Sequence, residues 1–302
     1  MLHLQFEDDF LDASGHANDG TAVGEPTFVP GKIGSKALYY NTDASDPNNL
    51  VYNYVTLGTP DDLAFGADVD FTLAYWVRMP VQRNPGWESR MPAFGNVGGG
   101  DWYGLWESGY SFGPVGMWQT WLWTLAPDVG YAFGTGYPDV SITDGNWHHL
   151  VHSFDRTGNG ITYYDGVRVN SVDISGVGNL DTGYPVNIGQ NGEGNFTPRN
   201  ESELRSEAEI DDLGVWRVAL TENEAKSIYI AGQAGRSFDE VAPLAVTLSV
   251  ERVGTALQLN WSSGTLQSAD DITGPWTPVT GASAPSFQVT PTAAKKFYRV
   301  QL

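Results

Sequence analysis

Two groups of acidic residues are candidates for binding a cation. Glu7, Asp8 and Asp9 follow a run in which apolar and polar residues alternate, and Asp211 and Asp212 lie inside another such run. Asp8 and Asp211 share a strand face with apolar neighbours, where a carboxylate costs free energy unless it is paired or neutralised. A calcium ion, which takes about six to eight oxygen ligands, would neutralise two such carboxylates at once. The alternative is that these acids lie at strand ends in solvent and cap turns.

A segment between residues 87 and 137 is rich in aromatic rings. It contains Trp87, Trp102, Tyr103, Trp106, Tyr110, Trp118, Trp121 and Trp123. Sugars present flat C–H faces that stack on such rings, while their hydroxyl groups need hydrogen-bonding partners nearby. We expect Trp102, Tyr103 and Trp106 to stack on sugar and Asp101 and Glu107 to bind its hydroxyl groups.

The alternative for many of these rings is packing in a hydrophobic core. Trp121 and Trp123 alternate with Trp118 and Leu122, so one of these two sets must face the core. Residues that are expected in loops are therefore the better candidates for binding.

Three histidines suggest a zinc site that strand geometry excludes. On the strand predicted here, His148 and His152 share one face while His149 points to the other, so the three cannot bind one zinc ion. The sequence shows no serine–histidine–aspartate arrangement and no phosphate loop between a strand and a helix. We therefore expect no catalytic activity.

Composition and charge narrow the range of partners. The 302 residues carry a formal net charge of −20, and such a surface repels nucleic acids and anionic lipids. No stretch approaches the roughly 18 apolar residues of a membrane helix. The chain has no cysteine, which fits a bacterial exported or cell-surface protein better than a secreted eukaryotic one. The start lacks the features of a signal peptide, so either the protein is cytosolic or a signal peptide and neighbouring domains were trimmed away, and we favour trimming.

Alternating apolar residues separated by tight turns predict an all-β protein. The content of 36 glycines and 17 prolines agrees with many short strands. One helix is predicted after Thr221, which forms a capping-box pattern with Glu224. We expect this helix to end at Gly232 or Gly235 and to pack against the last strand of the larger domain.

A boundary between two domains is predicted near residue 240. Residues 235–243 carry little pattern and look like a linker, and alternation resumes over about sixty residues beyond it. The expected domains are residues 1–238 and residues 243–302, the second a small immunoglobulin-like β-sandwich.

Several phrases resemble known extracellular families. The larger domain resembles the laminin-G-like, concanavalin A-like jelly rolls through the order and spacing of Leu4-Gln-Phe-Glu-Asp8, Gly31-Lys-Ile-Gly-Ser-Lys-Ala-Leu38, Asp144-Gly-Asn-Trp-His-His-Leu150, Tyr163-Tyr-Asp-Gly166 and Glu209-Ile-Asp-Asp-Leu-Gly-Val-Trp-Arg-Val-Ala-Leu-Thr221. The smaller domain resembles a fibronectin-III-like domain at the C-termini of large exported bacterial proteins, through Gly274-Pro-Trp-Thr277 and Lys296-Phe-Tyr-Arg-Val300.

The resemblance implies a calcium site. In such jelly rolls the first and last strands lie side by side, so the two acidic groups would converge. The expected ligands are Glu7, Asp8, Asp9, Asn41, Asp211 and Asp212, and Asp12 and Asn18 are further candidates that fit turn positions equally well.

The resemblance also implies a function in binding. We expect a non-catalytic, lectin-like module outside the cell that binds a polysaccharide or glycoconjugate. Other domains of a parent protein are further candidate partners. A structural or adhesive module that contacts protein is the first alternative, and a glycoside hydrolase or polysaccharide lyase is the second. Glu209-Ile-Asp211 is similar to the active-site strand of laminarinase-like hydrolases, but Leu213 and Gly214 stand where a second glutamate is needed.

Overall fold

The computed structural model describes residues 1–81, 91–96, 98, 106–110, 118–125, 128–134, 142–181, 183–197, 205–240, 248–261, 264–291 and 295–301. The chain divides into two units, Met1–Ala242 and Pro243–Leu302.

Strands are the main regular structure in the described part of the first unit, as the alternating pattern predicts. The strands are β1 (Leu2–Leu4), β2 (Thr21–Val23), β3 (Thr27–Pro30), β4 (Lys36–Asp43), β5 (Val51–Gly58), β6 (Phe71–Arg78), β7 (Met91–Gly95), β8 (Trp106–Tyr110), β9 (Trp118–Leu125), β10 (Asp128–Gly134), β11 (Trp147–Phe154), β12 (Asn159–Tyr164), β13 (Val167–Asp173), β14 (Val186–Ile188) and β15 (Arg205–Trp216). One α-helix, α1 (Glu222–Gln233), follows β15.

The strands form two antiparallel sheets that share a core. The first sheet has the order β3-β4-β15-β6-β11-β12-β13, with β1 also paired to β15, and the second has the order β2-β5-β14-β7-β8-β9-β10. β4 and β5 pair with each other, so the two sheets are continuous there. The all-β prediction is confirmed.

Both faces of β6 are buried. Phe71, Leu73, Tyr75 and Val77 belong to the core between the sheets. On the opposite, outer face of the first sheet, Ala74 lies in a second apolar cluster. An antiparallel strand with two buried faces needs a cover on its outer side, and α1 supplies it.

The sequence around α1 determines where this helix begins and ends. The predicted capping box is confirmed, because Thr221 Oγ1 accepts from the backbone N–H of Glu224 and the Glu224 carboxylate accepts from the N–H of Thr221 at 2.7 Å. The helix ends at Gln233, shortly before Gly235. The φ of Gly235 is 71°, which is a left-handed conformation incompatible with continuing the helix. Among the described residues, no helix is long and apolar enough to cross a membrane.

The helix covers different strands from those expected. Ala225 packs with Ala74 of β6, Val151 of β11 and Tyr163 of β12, and β15 joins this cluster only through the partly buried Trp216. The apolar residues of the outer face lie on β6, β11 and β12, so the helix buries more apolar surface there than it could over the acidic β15.

The second unit contains two small sheets. Its strands are β16 (Ser249–Val253), β17 (Ala256–Asn260), β18 (Thr265–Ala269), β19 (Thr277–Pro278), β20 (Ser286–Val289) and β21 (Phe297–Gln301). They pair as β16-β17-β20 and as β19-β18-β21, around buried Leu259, Trp261 and Leu266. The resemblance of this unit to fibronectin III remains a prediction.

Two fully buried histidines lie on opposite faces of β11. His149 contacts the rings of Trp76, Tyr229 and Phe238 on the outer face, and neither of its ring nitrogens has a hydrogen-bond partner among the residues that the structure describes. His152 lies on the core face, where its Nδ1 is 3.0 Å from the hydroxyl of Thr162. Burial lowers the pKa of each histidine to about 3, so both are neutral in the folded chain.

We expect these two histidines to destabilise the fold in acid. Between pH 6.5 and about 3, the unfolded chain binds a proton at each histidine that the folded chain does not. The free energy of unfolding falls by about 1.4 kcal/mol per pH unit for each histidine, or by about 2 kcal/mol at pH 5.

His149→Phe keeps a ring beside its aromatic neighbours and removes one titrating group. Its free energy of unfolding, measured with urea, should therefore fall about 2 kcal/mol less than that of the unmodified protein between about pH 7 and pH 5. An equal fall in the two proteins would contradict this account of His149.

Candidate functional site

The first and last strands of the larger unit lie side by side, as predicted. β1 pairs with β15 through Leu2 and Val215, His3 and Gly214, and Leu4 and Leu213. A β-bulge interrupts the pairing of β15 with β6 between Asp211 and Gly214.

The bulge places two adjacent carboxylates in buried positions. Asp211 and Asp212 are both fully buried, and Asp212 has a φ of 45°. Aspartate tolerates this left-handed conformation better than most residues. Without the bulge, alternation along the strand would place the two side chains on opposite faces.

Asp211 binds a turn that connects β3 and β4. Its Oδ2 accepts from the backbone N–H groups of Lys32 at 2.7 Å and Ile33 at 2.9 Å. Burial, together with the neighbouring charge of Asp212, raises the pKa of Asp211 to about 7 against the lowering effect of these two bonds. Its Oδ1 is buried without a hydrogen-bond partner among the described residues.

Glu7 binds the other end of the same turn. Its Oε1 accepts from the backbone N–H groups of Ser35 at 2.8 Å and Lys36 at 3.0 Å, and its Oε2 accepts from the Ser35 hydroxyl at 2.7 Å. Although partial burial opposes it, these hydrogen bonds hold the pKa of Glu7 below its ordinary value. Residues 31–36 are thus fixed by one carboxylate from each end of the unit's sequence.

Asp212 connects three distant parts of the chain. Its Oδ1 lies 2.6 Å from Nε2 of His3 and accepts from the hydroxyl of Ser237 at 2.6 Å. The Ser237 hydroxyl is also 3.1 Å from the same His3 nitrogen. A catalytic triad requires the histidine to contact the nucleophile and the acid through different nitrogens, so this cluster does not act as one. The second carboxylate oxygen of Asp212, Oδ2, is buried and has no hydrogen-bond partner in the described part of the chain.

The six expected calcium ligands are distributed over separate places. Asp8 is exposed, 3.6 Å from the ammonium of Lys36, and Asp9 accepts from the N–H of Leu11. Oδ1 of Asn41 accepts from the amide of Asn53 at 2.8 Å. Within the described residues, no group of three or more histidine or acidic side chains is arranged to hold a metal ion. Calcium binding remains a prediction, and only the unpartnered oxygens of Asp211 and Asp212 favour it.

The expected sugar-binding residues lie largely outside the described residues. This applies to Asp101, Trp102 and Tyr103. Trp106 and Glu107 are the first two residues of β8 rather than loop residues, and they pair with Leu122 and Trp121 of β9. Adjacent positions of a strand belong to opposite faces, so positions 106 and 107 do not share one.

The structure resolves the alternation on β9. Trp118 and Leu122 are fully buried in the core, and the indole N–H of Trp118 donates to the Tyr75 hydroxyl at 2.6 Å. Trp121 lies on the opposite, outer face of the second sheet and is half-buried. Sequence analysis could not choose between the two sets, because both are equally apolar.

A row of directly opposed residues crosses this outer face. It runs from Thr56 of β5 through Asn187 of β14, Gly95 of β7 and position 107 of β8 to Trp121. Asn187 is buried and donates to the backbone carbonyl of Asn191 at 2.5 Å. Of the described side chains in this row, those of Trp121 and Thr56 are half-buried and accessible, and a ring and a hydroxyl group on one face can contact a flat polar ligand. Thr56 was missed because its place in the row depends on the order of the strands.

The family to which the chain belongs follows from its sequence and agrees with this fold. The family described as Laminin_G_3, the concanavalin A-like lectin/glucanase superfamily, matches residues 48–226. The chain belongs to the concanavalin A-like lectin/glucanase superfamily. The predicted jelly-roll class is therefore confirmed. A search of the curated proteins finds no match.

Solved structures similar to this chain include toxin binding domains. The binding domain of Paraclostridial Mosquitocidal Protein 1 has a TM-score of 0.60 at 14% identity, covering 92% of this chain and 62% of that one. The botulinum neurotoxin serotype G binding domain has a TM-score of 0.59 at 16% identity, with coverages of 96% and 64%. A structure of botulinum neurotoxin type C, whose cell entry depends on interaction with two ganglioside molecules, has a TM-score of 0.55 at 13% identity, with coverages of 88% and 59%.

These similarities establish the concanavalin A-like fold and no more. The chain spans less than two thirds of the length of each of these three solved chains. The similar structures are binding domains, and the superfamily domain found here is lectin-like.

We expect Asp212→Ala to destabilise the larger unit strongly. The change leaves His3 Nε2 and the Ser237 hydroxyl without their shared acceptor in a buried place, and it puts alanine at a φ of 45°. The free energy of unfolding should fall by about 3 kcal/mol. Asp212→Asn keeps an acceptor oxygen and tolerates this backbone, so it should cost less than half as much. Chemical denaturation of both variants at neutral pH, with chelator present, tests this, and equal losses would contradict it.

Proposed function

We propose that the larger unit recognises a carbohydrate outside the cell and catalyses no reaction on it. The observation that carries the proposal is the half-buried Trp121 on the outer face of the second sheet, in one row with Thr56, Gly95 and Asn187. A sugar ring needs a flat apolar surface and nearby hydrogen-bonding groups. In this row the ring of Trp121 offers the apolar surface and the half-buried Thr56 offers a hydroxyl group, about 19 Å away across four strand spacings of about 4.8 Å.

The charge of the chain favours a ligand without many negative groups. With a formal net charge of −20, the surface repels polyanions. The type C neurotoxin structure associates the same fold with ganglioside molecules in that protein, and this supports a polysaccharide or glycoconjugate as the ligand class here.

The acids on β15 are poorly placed for hydrolysis. The carboxylate of Glu209 is paired with the guanidinium of Arg78, and the carboxylate of Asp211 is fully buried and accepts two backbone N–H groups. A retaining glycoside hydrolase needs two carboxyl groups about 5 Å apart that both reach the substrate. This arrangement supports binding over catalysis.

Calcium is a further part of the proposal. The ion would be held by Oδ1 of Asp211 and Oδ2 of Asp212, both buried and unpartnered among the described residues, together with backbone carbonyl oxygens. Bound there, it would neutralise two adjacent carboxylates whose burial is otherwise unfavourable.

Substitution of Trp121 tests the sugar-binding row. On a glycan array, the full chain should bind a subset of glycans, and Trp121→Leu should weaken that binding about tenfold or more, because leucine lacks a flat ring. Trp121→Phe is the matched control, since it keeps a ring and should stay within a few-fold of the unmodified protein. Equal binding by all three proteins would place the site elsewhere. If the unmodified protein bound no glycan, the proposed function itself would be wrong.

Thermal unfolding tests the calcium proposal. Excess calcium should raise the melting temperature of the full chain by about 5 °C or more, and a chelator should reverse the shift. Asp211→Asn should remove the response, because the amide replaces a charged ligand. The same excess of magnesium should have a much smaller effect, since magnesium demands stricter octahedral geometry. An unchanged melting temperature with calcium would reject the ion.

A further inference from the structure

The outer face of the first sheet is covered over one part and accessible over another. Helix α1 covers Ala74, Val151 and Tyr163, and the turn at residues 31–36 covers Asp211. One step further along the strands, the side chains of Arg78 and Glu209 are 32% and 19% exposed, respectively. This accessible part of the face contributes nothing to the site described above.

Four side chains form a line across this accessible part. Trp147 of β11 lies opposite Arg78 of β6, Arg78 lies opposite Glu209 of β15, and Glu209 lies opposite Tyr39 of β4. Directly opposed residues share a face, so the four form one row, called here the outer-face row. Three strand spacings separate its ends, a distance of about 14 Å.

The contacts within the outer-face row fix its side chains. The guanidinium of Arg78 stacks over the ring of Trp147 at 4.9 Å and is paired with the carboxylate of Glu209. At the other end, the Tyr39 hydroxyl donates to the carboxylate of the exposed Glu207 at 2.5 Å. Because these rotamers are already restricted, a ligand that binds them loses less conformational entropy than it would on free side chains.

The order of chemical groups along the row distinguishes between kinds of ligand. Protein interfaces concentrate aromatic residues at the centre and charged residues at the rim. Here the two half-buried rings, Tyr39 and Trp147, stand at the ends, and an arginine–glutamate pair stands at the centre. Hydroxyl groups of a sugar can accept from the guanidinium and donate to the carboxylate at the same time. The carboxylates of Glu207 and Glu209 outnumber the one guanidinium, which disfavours anionic ligands.

We propose that the outer-face row is a second carbohydrate-binding surface, which takes a neutral oligosaccharide lying across β4, β15, β6 and β11. The two rings contact the flat faces of sugar units at its ends, and Arg78 and Glu209 bind hydroxyl groups between them. The inference rests on the proposed function in carbohydrate recognition, but its surface lies on the opposite side of the sandwich from Trp121.

Affinity electrophoresis of the full chain tests the proposal, with three soluble neutral polysaccharides as probes: a mixed-linkage β-glucan, a galactomannan and a xylan. Retardation by at least one is expected, and Trp147→Leu should weaken it about tenfold or more. Tyr39→Leu, at the far end of the row, should weaken the retardation as well, so the proposal can still be tested if one of the two variants fails to fold. Melting temperatures identify folded variants.

The second unit provides a matched control. There Arg299 stacks over the half-buried Trp276 at 4.5 Å, much as Arg78 stacks over Trp147. Trp276→Leu should leave retardation unchanged, whereas an equal loss in Trp276→Leu and Trp147→Leu would overturn the assignment to the outer-face row.

The two sites can fail separately. If Trp121→Leu abolishes retardation while folded Trp147→Leu and Tyr39→Leu bind as the unmodified protein does, the outer-face row is wrong and the proposed function stands. Binding that is weakened in each of Trp121→Leu and Trp147→Leu, and lost only in the double variant, supports two surfaces. If none of the three polysaccharides retards the unmodified protein, the second surface is overturned, whereas the proposed function is decided by the glycan array.

Discussion

The β-bulge of β15 is the constraint on which the architecture of the larger unit depends. It lets two consecutive aspartates occupy buried positions, where an unsatisfied carboxylate is costly. Asp211 is partly satisfied by the turn at residues 31–36, and Asp212 by His3 and Ser237. These contacts tie β15 to the N-terminal strand, to the turn before β4 and to the segment after α1. The need to satisfy two buried carboxylates on β15 therefore determines which remote segments pack against this strand.

The outer face of the first sheet has three parts, which differ in how their side chains are covered or paired. Where the face is apolar, at Ala74 and Val151, α1 buries it. Where it carries Asp211, a turn covers it with backbone donors. Where it carries Glu209 and Arg78, the charges pair with each other and stay accessible. This part of the face is therefore polar, with half-buried rings at its margins, because its charged residues pair with each other and do not require the cover that apolar residues would.

Sequence patterns predicted the fold better than the site, for a physical reason. Alternation and turns predict strands because burial acts on each strand locally, and the capping box of Thr221 and Glu224 is local too. The sites depend on which strands become neighbours. His3 and Ser237 are 234 positions apart, and Asn187 and Trp121 share a face only through the strand order β14-β7-β8-β9. The acids on β15 were recognised as costly to bury, but the backbone N–H groups that serve Asp211 and Glu7 have no signature in side-chain sequence.

Oδ1 of Asp211 and Oδ2 of Asp212 are buried and have no hydrogen-bond partner among the described residues. Two adjacent buried carboxylates cannot both stay charged without compensation, and the raised pKa of Asp211, about 7, reflects its burial and the charge of Asp212. A proton would neutralise one of the two, whereas a divalent cation would neutralise both. Asp211 lies two residues from Glu209, on the same face of β15. Within two residues, the outer face of β15 thus passes from a buried carboxylate that needs neutralising to one that Arg78 already pairs.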